Sequence, residues 1–316
     1  MKRYLINILL FCMLVLLIAV AADYLISSGL KRTERGHFYT MNALMNDSIN
    51  ADVIIIGNSR AAGSYHPGII DTILNVNSRN LGISGQPFGV SYLRWQLYRR
   101  NNRKPKLLIV NMDYCELEMV LNGFEREQYY PYIKDTLVKP YLDLYGFSWA
   151  EKHVPMFRYR GDYKLMSIGL SELLGIAHDK KGGFFKGYSN ENNEWNGAKL
   201  EKVLSEENKV KNKCNPEVVK LLERVLIDAK CDGVKVVFVY APIYKKLKEN
   251  LDESQAMDVY HSLSEKYGVT ILDFSKMDFY ADTCFFMDAN HVNEAGAERF
   301  SKELAYCLDS LGIVQK

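Results

Sequence analysis

The stretch VIIIGNSRAAG, from Val53 to Gly63, decides the fold because a run of four β-branched residues ends abruptly at Gly57. A short β-branched run that stops at a glycine is typical of a strand buried in a parallel sheet. The polar residues Asn58, Ser59 and Arg60 follow it directly. Gly, Asn and Ser are common turn formers, so a plain turn is one interpretation of this stretch. The other is a nucleophilic serine held at the end of a strand, and residues near the C-terminus distinguish the two.

Strand-like and helix-like segments alternate along the rest of the chain. The strand-like runs are Asn80–Ile83, Leu107–Val110, Val234–Tyr240 and Val269–Leu272, and the helical stretches are Pro67–Leu74, Val90–Asn101, Pro216–Lys230, Glu253–Lys266 and Asn293–Leu311. This alternation predicts an α/β fold, a three-layer α/β/α sandwich around a parallel sheet with right-handed crossovers. Functional groups in such sheets gather outside the carboxyl ends of the strands, where Ser59 falls.

The alternation lapses between about residues 115 and 213, in a long segment rich in aromatic residues. A structureless loop of that length is improbable inside a compact domain, so the segment predicts a mostly helical insertion. Its polar stretch HDKKGGFFKGYSNENNEWNG, residues 178–197, is typical of loops. The aromatic residues suit either a substrate-facing cap or, for most of them, a small core of the insertion itself.

The N-terminus carries an apolar run from Leu5 to Ala22, interrupted only by Asn7 and preceded by Lys2 and Arg3. A run of about 18 residues at ~1.5 Å per residue nearly crosses a hydrocarbon core of ~30 Å. We therefore expect a single transmembrane anchor over residues 1–29, a polar stalk over 30–50 and a folded domain over 51–316, outside the cytoplasm. The small residues at 20–22 leave a cleaved signal peptide as the competing interpretation.

Composition and cysteine spacing exclude several classes of protein. The 40 basic and 38 acidic residues leave a formal net charge of +2, which gives no electrostatic case for a nucleic-acid partner. The six cysteines include no C-x-x-C pair, and no cluster of histidine and carboxylate has metal-ligand spacing, so no metal or other cofactor is expected. Buried free thiols are the expected state of the cysteines, although a bridge between Cys214 and Cys231 stays open.

The stretch FFMDANHVNEAGAERFSKEL, near the C-terminus, contains Asp288 and His291 three residues apart. Asp288 by itself could simply cap the helix that follows. The pair, however, comes after the last predicted strand and immediately before the terminal helix, and this places it at the same edge of the sheet as Ser59. A three-residue spacing lets the carboxylate reach the imidazole.

These three residue types form the set that a serine nucleophile requires. A hydroxyl is a poor nucleophile at neutral pH, so a histidine must remove its proton and an acid must orient that histidine. We therefore predict Ser59, His291 and Asp288 as a catalytic triad. The oxyanion needs backbone donors, for which we predict the N–H groups of Ser59 and of Gly85 in RNLGISGQPFG.

Three blocks of the chain resemble the SGNH, or GDSL-like, hydrolase family over most of residues 51–312, excluding the insertion. IIIGNSRA resembles the first block, with Ser59 as the nucleophile, and NLGISGQP resembles the second, with Gly85 as an oxyanion donor. DANHVNEAGA resembles the last block, which carries Asp288 and His291. The resemblance implies a flavodoxin-like α/β/α fold. The single span is most similar to membrane-anchored bacterial members that act on cell-envelope or exported polysaccharides.

The chain departs from the family pattern at two positions. Asn58 stands where many members carry Asp. The third block usually offers a glycine and an asparagine beyond the third strand, whereas this chain reads LLIVNMDYCELE, and Asn111 lies inside or at the end of the strand, slightly too early. Asn111 is thus the candidate for the third oxyanion donor, and loss of one such donor costs on the order of 10²–10³ in rate.

The resemblance implies a membrane-anchored serine esterase or O-acyltransferase that acts on acyl groups, acetyl above all, and whose substrate is an acylated glycan or another small ester. A non-catalytic glycan-binding or assembly protein with the same fold is the alternative. A membrane acyltransferase is a possible partner. Arg60 would either hold an anionic substrate or pair with a structural carboxylate.

Overall fold

The computed structural model describes residues 1–118, 125–176, 184–189, 194–205, 210–211 and 213–313. Much of the polar stretch predicted as loop over 178–197 lies outside the described residues. The chain divides into two compact units. One comprises Met1–Ala43 with Gly123–Gly183, and the other comprises Leu44–Asn122 with Phe184–Lys316.

The strands and α-helices are as follows in chain order. The strands are β1 (Val53–Ile56), β2 (Ser78–Asn80), β3 (Leu107–Met112), β4 (Val210–Lys211), β5 (Lys235–Tyr240), β6 (Leu251–Asp252) and β7 (Thr270–Asp273). The α-helices are α1 (Lys2–Leu30), α2 (Phe38–Met45), α3 (Ser59–Ser64), α4 (Pro67–Leu74), α5 (Phe88–Asn101), α6 (Lys139–Leu142), α7 (Trp149–His153), α8 (Tyr163–Leu174), α9 (Ala198–Leu204), α10 (Pro216–Asp232), α11 (Lys245–Glu249), α12 (Ser254–Tyr267) and α13 (Glu294–Ser310).

The second unit is built on a five-stranded parallel sheet with the order β2-β1-β3-β5-β7. Successive side chains of a strand point to opposite faces. On one face, alternate residues such as Ile55 and Ile109 pack in the core that also holds residues of α3, α4 and α13. On the other, Phe238 contacts Tyr260 of α12, and α10 packs on α5 and α12. The predicted three-layer α/β/α fold is confirmed.

The predicted strand at Asn80–Ile83 is wrong in its bounds, because regular pairing with β1 covers Ser78–Asn80. Beyond it, the N–H groups of Leu81 and Ile83 still donate to the carbonyl oxygens of Ile55, at 2.8 Å, and Gly57, at 3.1 Å. Gly82 lies in this continuation, against α3. A Cβ there would lie 2.5 Å from the backbone nitrogen of Ala62, so only glycine permits this approach to α3. The other predicted strands are found with ends shifted by one or two residues, and β1 is as predicted.

The first unit joins the N-terminal helix to the middle of the insertion. Helix α1 packs against α8, and the backbones approach so closely at Gly29 and Gly169 that a Cβ on Gly29 would lie 1.7 Å from a carbonyl oxygen. The Ser27 hydroxyl contacts the Tyr159 hydroxyl at 2.7 Å. Tyr159 in turn meets Tyr130 edge-on, so aromatic residues of the insertion form a core of their own there.

The stretch 30–50, predicted as a polar stalk, contains helix α2 and includes the fully buried Met41. The Asn42 side chain donates hydrogen bonds to the carbonyl oxygens of Leu30 and Thr33, each at 2.8 Å. This stretch is therefore folded rather than extended.

Helix α1 is long and apolar enough to cross a membrane. Its most apolar window of 18 residues has a mean hydropathy of 3.0 and contains no buried residue. A signal sequence near the N-terminus has the same properties, so both interpretations of this segment remain compatible with the structure.

All six cysteines are free thiols. Cys231 and Cys284 are exposed, which corrects the expectation that the thiols are buried. Cys231 lies near the end of the amphipathic helix α10, and Cys284 lies in a single 3₁₀ turn that buries none of its residues.

Candidate active site

Ser59 lies at the first position of α3, directly beyond the carboxyl end of β1. Gly57 makes this turn possible, because its φ of +150° is rarely adopted by other residues and a Cβ would lie 2.8 Å from those of Ala61 and Asn111. The Asn58 side chain caps the helix by accepting a hydrogen bond from the Arg60 N–H at 3.0 Å. The turn thus holds the serine at the rim of the sheet.

The structure brings Ser59 together with His291, although 232 positions separate them in the chain. The Ser59 Oγ lies 2.8 Å from the His291 Nε2. The other ring nitrogen, Nδ1, lies 2.9 Å from both carboxylate oxygens of Asp288. One tautomer satisfies both contacts, with Nδ1–H donating to the carboxylate and Nε2 accepting from the serine hydroxyl. These three side chains therefore form a continuous hydrogen-bonded series.

A tight turn fixes the carboxylate and the imidazole relative to each other. The Asp288 Oδ1 accepts hydrogen bonds from the backbone N–H groups of Asn290, at 2.7 Å, and His291, at 3.0 Å. The cap of helix α13 is Asn293, whose side chain accepts from the Gly296 N–H at 3.1 Å. Asp288 is therefore not the helix cap, which removes the simpler explanation of this residue.

The loop that carries Gly85 is held by buried side chains. The Arg94 guanidinium donates hydrogen bonds to the carbonyl oxygens of Leu81, at 2.9 Å, and Gly82, at 3.0 Å. The Asn80 Oδ1 accepts from the Gly82 N–H at 2.8 Å. Gly85 itself has a φ of +66°, which favours glycine. Its N–H as an oxyanion donor stays a prediction, as does the N–H of Ser59.

Asn111 lies inside β3, where the sequence places it, and is fully buried. Its side-chain oxygen accepts a hydrogen bond from the Tyr65 hydroxyl at 2.8 Å. Its Nδ2 has no hydrogen-bond partner among the residues that the structure describes. The amide therefore supplies an unused donor beneath the serine turn, and its role as a third oxyanion donor stays a prediction.

Arg60 pairs with a structural carboxylate. Its Nη1 lies 3.2 Å from the Asp113 Oδ2, and both side chains are almost fully buried. Its Nη2 donates to the carbonyl oxygens of Ala241 and Pro242, just beyond β5. Of the two roles considered for Arg60, the structure therefore shows the pairing with a structural carboxylate. The side chain joins the serine turn to the ends of β3 and β5.

Asp113 is ionised in this pair. Burial acts to raise the pKa of its carboxyl, but the Arg60 guanidinium and hydrogen bonds from Cys115 and Asn58 outweigh it and lower the pKa below its usual value. This buried ion pair therefore supports the turn that holds Ser59.

Asp113→Asn should destabilise the folded chain, because it leaves the Arg60 charge buried without a counter-ion. We expect a loss of about 3–5 kcal/mol in the free energy of unfolding. Chemical denaturation of the purified chain measures this loss, with Asp278→Asn at an exposed ion pair as the matched control, expected to change stability by less than about 1 kcal/mol. Equal stability of the two variants would contradict a stabilising role of the ion pair between Arg60 and Asp113.

Glu116 is also buried near Asp113, but its carboxyl is protonated rather than ionised. Burial first, and the neighbouring Asp113 carboxylate second, raise the pKa of Glu116 well above its usual value. The folded chain therefore keeps this carboxyl protonated at a pH where the unfolded chain has released the proton. The stability that this protonated group contributes is present below the unfolded pKa and is lost as pH rises toward the folded pKa.

Glu116→Gln should remove this pH dependence, because the amide has the same shape and does not titrate. Between about pH 4.5 and the pKa of Glu116 in the folded chain, the difference between the free energies of unfolding of variant and wild type should grow in favour of the variant. The expected slope is about 1.4 kcal/mol per pH unit. Denaturation curves at pH 5, 6 and 7 measure the difference. Parallel curves for the two proteins would contradict a neutral Glu116.

Tyr114 links the loop after β3 to the histidine turn, a contact that the sequence analysis missed. Its hydroxyl donates to the Asn290 Oδ1 at 2.8 Å, and Asn290 also holds Asp288 through its backbone N–H. Burial and the adjacent Asp113 carboxylate raise the pKa of Tyr114, which keeps the hydroxyl protonated as a donor. The run of polar residues directly after a buried strand was the available signal.

The end of the insertion also reaches this turn. The Asn196 N–H donates to the Met287 carbonyl oxygen at 2.8 Å, next to Asp288. Trp195 packs on Tyr244 with ring centroids 4.7 Å apart. Residues 194–197 thus form one wall beside the carboxylate. Within the described part of the chain, no group of three or more His, Cys, Asp or Glu residues is arranged to hold a metal ion.

No protein-family model and no curated protein sequence matches this chain. Among solved structures, a protein assigned to the lipolytic G-D-S-L family from Desulfitobacterium hafniense is 9% identical, with 81% of this chain and 98% of that chain covered and a TM-score of 0.39. The acetyl xylan esterase AlAXEase is 11% identical, with 82% and 98% covered and a TM-score of 0.38.

A GDSL-like lipase from Bacteroides thetaiotaomicron is 13% identical, with 81% of this chain and 87% of that chain covered and a TM-score of 0.36. These proteins are of the kind that the three sequence blocks resemble. Their low identities and TM-scores carry no function to this chain, so its function has to be inferred from its own residues.

Proposed function

We propose that this chain is a serine esterase of the SGNH kind, or an O-acyltransferase that uses the same nucleophile. The observation that carries the proposal is the series of contacts from the Ser59 Oγ through the His291 ring to the Asp288 carboxylate. The serine is only partly buried, at the end of a strand, so an ester can approach it. A buried turn serine would require none of these features.

The geometry supports a two-step reaction. The Ser59 Oγ attacks the acyl carbonyl carbon while its proton passes to the His291 Nε2, and Asp288 stabilises the imidazolium. Hydrogen bonds from the N–H groups of Ser59 and Gly85 stabilise the negative charge that develops on the carbonyl oxygen. The tetrahedral intermediate then expels the alkoxide, which takes the proton from Nε2, and the acyl group stays on Ser59.

A second nucleophile completes the cycle. His291 removes a proton from water or from a sugar hydroxyl, that oxygen attacks the acyl-enzyme, and Ser59 regains its proton. Water gives hydrolysis and a sugar gives transfer. The substrate that we propose is an acetylated glycan, either of the cell envelope or exported. The chain would act on it outside the cytoplasm, with α1 as its membrane anchor.

Fluorophosphonate labelling tests the nucleophile directly. The purified full-length chain should take up one equivalent of the reagent, and digestion with mass spectrometry should find it on Ser59. Ser64, in the same helix, is the internal control and should stay unmodified. A chain that resists the reagent would be a glycan-binding or assembly protein that retains the fold, and the esterase proposal would be withdrawn.

The choice between hydrolysis and transfer needs a separate measurement. p-Nitrophenyl acetate is offered with and without a soluble oligosaccharide, and the products are analysed for free acetate and acetylated sugar. Acetylated sugar identifies a transferase, and free acetate alone identifies an esterase. Activity that appears only after a membrane acyltransferase is added would identify that protein as a partner.

A further inference from the structure

A cavity of about 320 Å³ lies beside the last third of α1, within the unit that joins the N-terminal helix to the insertion. Its wall on the helix side includes Val20, Tyr24 and Lys31, and its wall on the insertion side includes Lys134 and Val154. The active-site residues belong to the other unit, so this cavity is no part of the triad.

The position of the cavity along α1 corresponds to a membrane surface. Val20 belongs to the apolar run that ends at Ala22, and Lys31 lies eleven residues further, roughly 16 Å along the helix axis. The cavity therefore extends from the end of the apolar segment into the polar side. Tyr24 is 70% exposed at this level, as expected for an aromatic side chain at the interface of a bilayer.

An aromatic residue of the insertion is exposed at the edge of the same cavity. Trp149 is 70% exposed, and its ring lies 5.2 Å from that of His153, which lines the cavity. Tryptophan, like tyrosine, is enriched at headgroup depth, where one end of the ring is apolar and the other contacts water. Two separate elements thus present interfacial aromatic residues around one opening.

The charges that line the cavity are mostly basic. Its lining includes Lys31, Lys134, Lys152 and Arg158, and Asp23 is the one carboxylate among the lining residues. Arg158 is neutralised by Asp23, and Lys152 by Asp143, which lies outside the cavity.

The other two lysines of the lining are Lys31 and Lys134. Across the described residues, neither Lys31 nor Lys134 has an ion-pair partner, and the Lys31 Nζ lies 5.4 Å from the centre of the Tyr132 ring. An unneutralised pair of cations beside an apolar wall matches a ligand that carries a phosphate at one end and a hydrocarbon chain at the other.

We propose that this cavity binds the headgroup of an anionic phospholipid of the membrane that α1 crosses. The phosphate is held by Lys31 and Lys134, and the acyl chains extend along the apolar part of α1 at Val20. The proposal rests on α1 being retained as an anchor, and it is independent of the chemistry at Ser59. A soluble anion would contact the two lysines but would leave the apolar wall of the cavity without a partner.

Native mass spectrometry of the full-length chain in a neutral detergent tests the proposal. The chain is titrated with dioleoylphosphatidylglycerol or dioleoylphosphatidylcholine, and bound lipid is counted. Each basic residue near a membrane surface favours anionic lipid by about 5-fold, so we expect the wild type to prefer phosphatidylglycerol by about 30-fold. Equal binding of the two lipids would overturn the proposal.

The double variant that carries both Lys31→Gln and Lys134→Gln should lose the preference for phosphatidylglycerol. The control is the double variant Lys220→Gln with Lys245→Gln, which removes the same charge from exposed side chains of the other unit and should keep the preference. A double variant at 31 and 134 that keeps the preference would refute the assigned site. Its thermal unfolding temperature and its hydrolysis of p-nitrophenyl acetate should match the wild type, which reports folding and keeps this result separate from the esterase proposal.

Glycerol phosphate distinguishes a lipid site from a site for a soluble anion, because it has the headgroup charge without acyl chains. We expect no displacement of phosphatidylglycerol at equal concentration. Displacement as effective as that by the lipid itself would show that the cavity takes a free phosphate ester, and the lipid assignment would fall.

Discussion

Ser59→Ala should reduce kcat for p-nitrophenyl acetate by about 10⁶-fold, to the residual level that binding and oxyanion donors alone provide. The reason is that, in the reaction we propose, the hydroxyl 2.8 Å from the His291 Nε2 is the atom that forms the acyl-enzyme. Alanine is well suited to a helix and removes one oxygen, so the fold should persist. Steady-state hydrolysis by the purified full-length chain, with its thermal unfolding measured alongside, provides the comparison.

Ser64→Ala is the matched control, since this serine lies at the other end of α3 and makes no contact with the histidine among those described. It should keep activity within about threefold of the wild type. If Ser59→Ala and Ser64→Ala hydrolyse the ester equally well, Ser59 is not the nucleophile.

Asp288→Asn should lower kcat by about 10⁴-fold while leaving the turn intact. An asparagine can still accept the backbone N–H groups of Asn290 and His291 through its oxygen, as Asp288 does now. Its NH₂ group would face Nδ1, however, and would favour the tautomer that carries the proton on Nε2. That tautomer cannot accept the proton of Ser59, so the nucleophile is not activated.

Asp282→Asn is a suitable comparison because Asp282 also accepts a backbone N–H, that of Cys284 at 2.9 Å, in the same part of the chain. It should leave kcat within about threefold of the wild type. Rates of acylation measured across pH 6–9 separate the two variants. A kcat for Asp288→Asn within tenfold of the wild type would mean that the carboxylate does not orient the imidazole.

The sheet could be predicted from the sequence because its signals are local. The strand Val53–Ile56 is a run of β-branched residues ended by Gly57, and helix Pro67–Leu74 begins with a proline. The histidine turn was predictable for a similar reason, since Asp288 and His291 are three residues apart and meet within one turn.

The buried charges around the site could not be predicted in this way. The burial of Arg60 has no local signal, because it depends on Asp113, 53 positions away, and on the carbonyl oxygens of Ala241 and Pro242, more than 180 positions away. The contact between Tyr114 and Asn290 spans 176 positions. No periodicity or propensity reports pairings at such distances, because packing of the finished sheet creates them.

The role of the insertion was hidden for the same reason. Its aromatic residues predicted a core, but nothing in their spacing indicated that Tyr159 meets Ser27 of the N-terminal helix, 132 positions earlier. The folded state of residues 38–45 also follows from such partners, since Asn42 contacts the Tyr132 hydroxyl.

The long chain distance between the Ser59 hydroxyl and the His291 imidazole determines when the proposed triad can form during synthesis. A ribosome adds residues at about 5–20 per second, so roughly 10–50 s pass between the emergence of Ser59 and that of His291. Until then the growing polypeptide has no base beside its serine. In the reaction we propose, a growing polypeptide would therefore be inert toward esters until the last helix has joined the sheet.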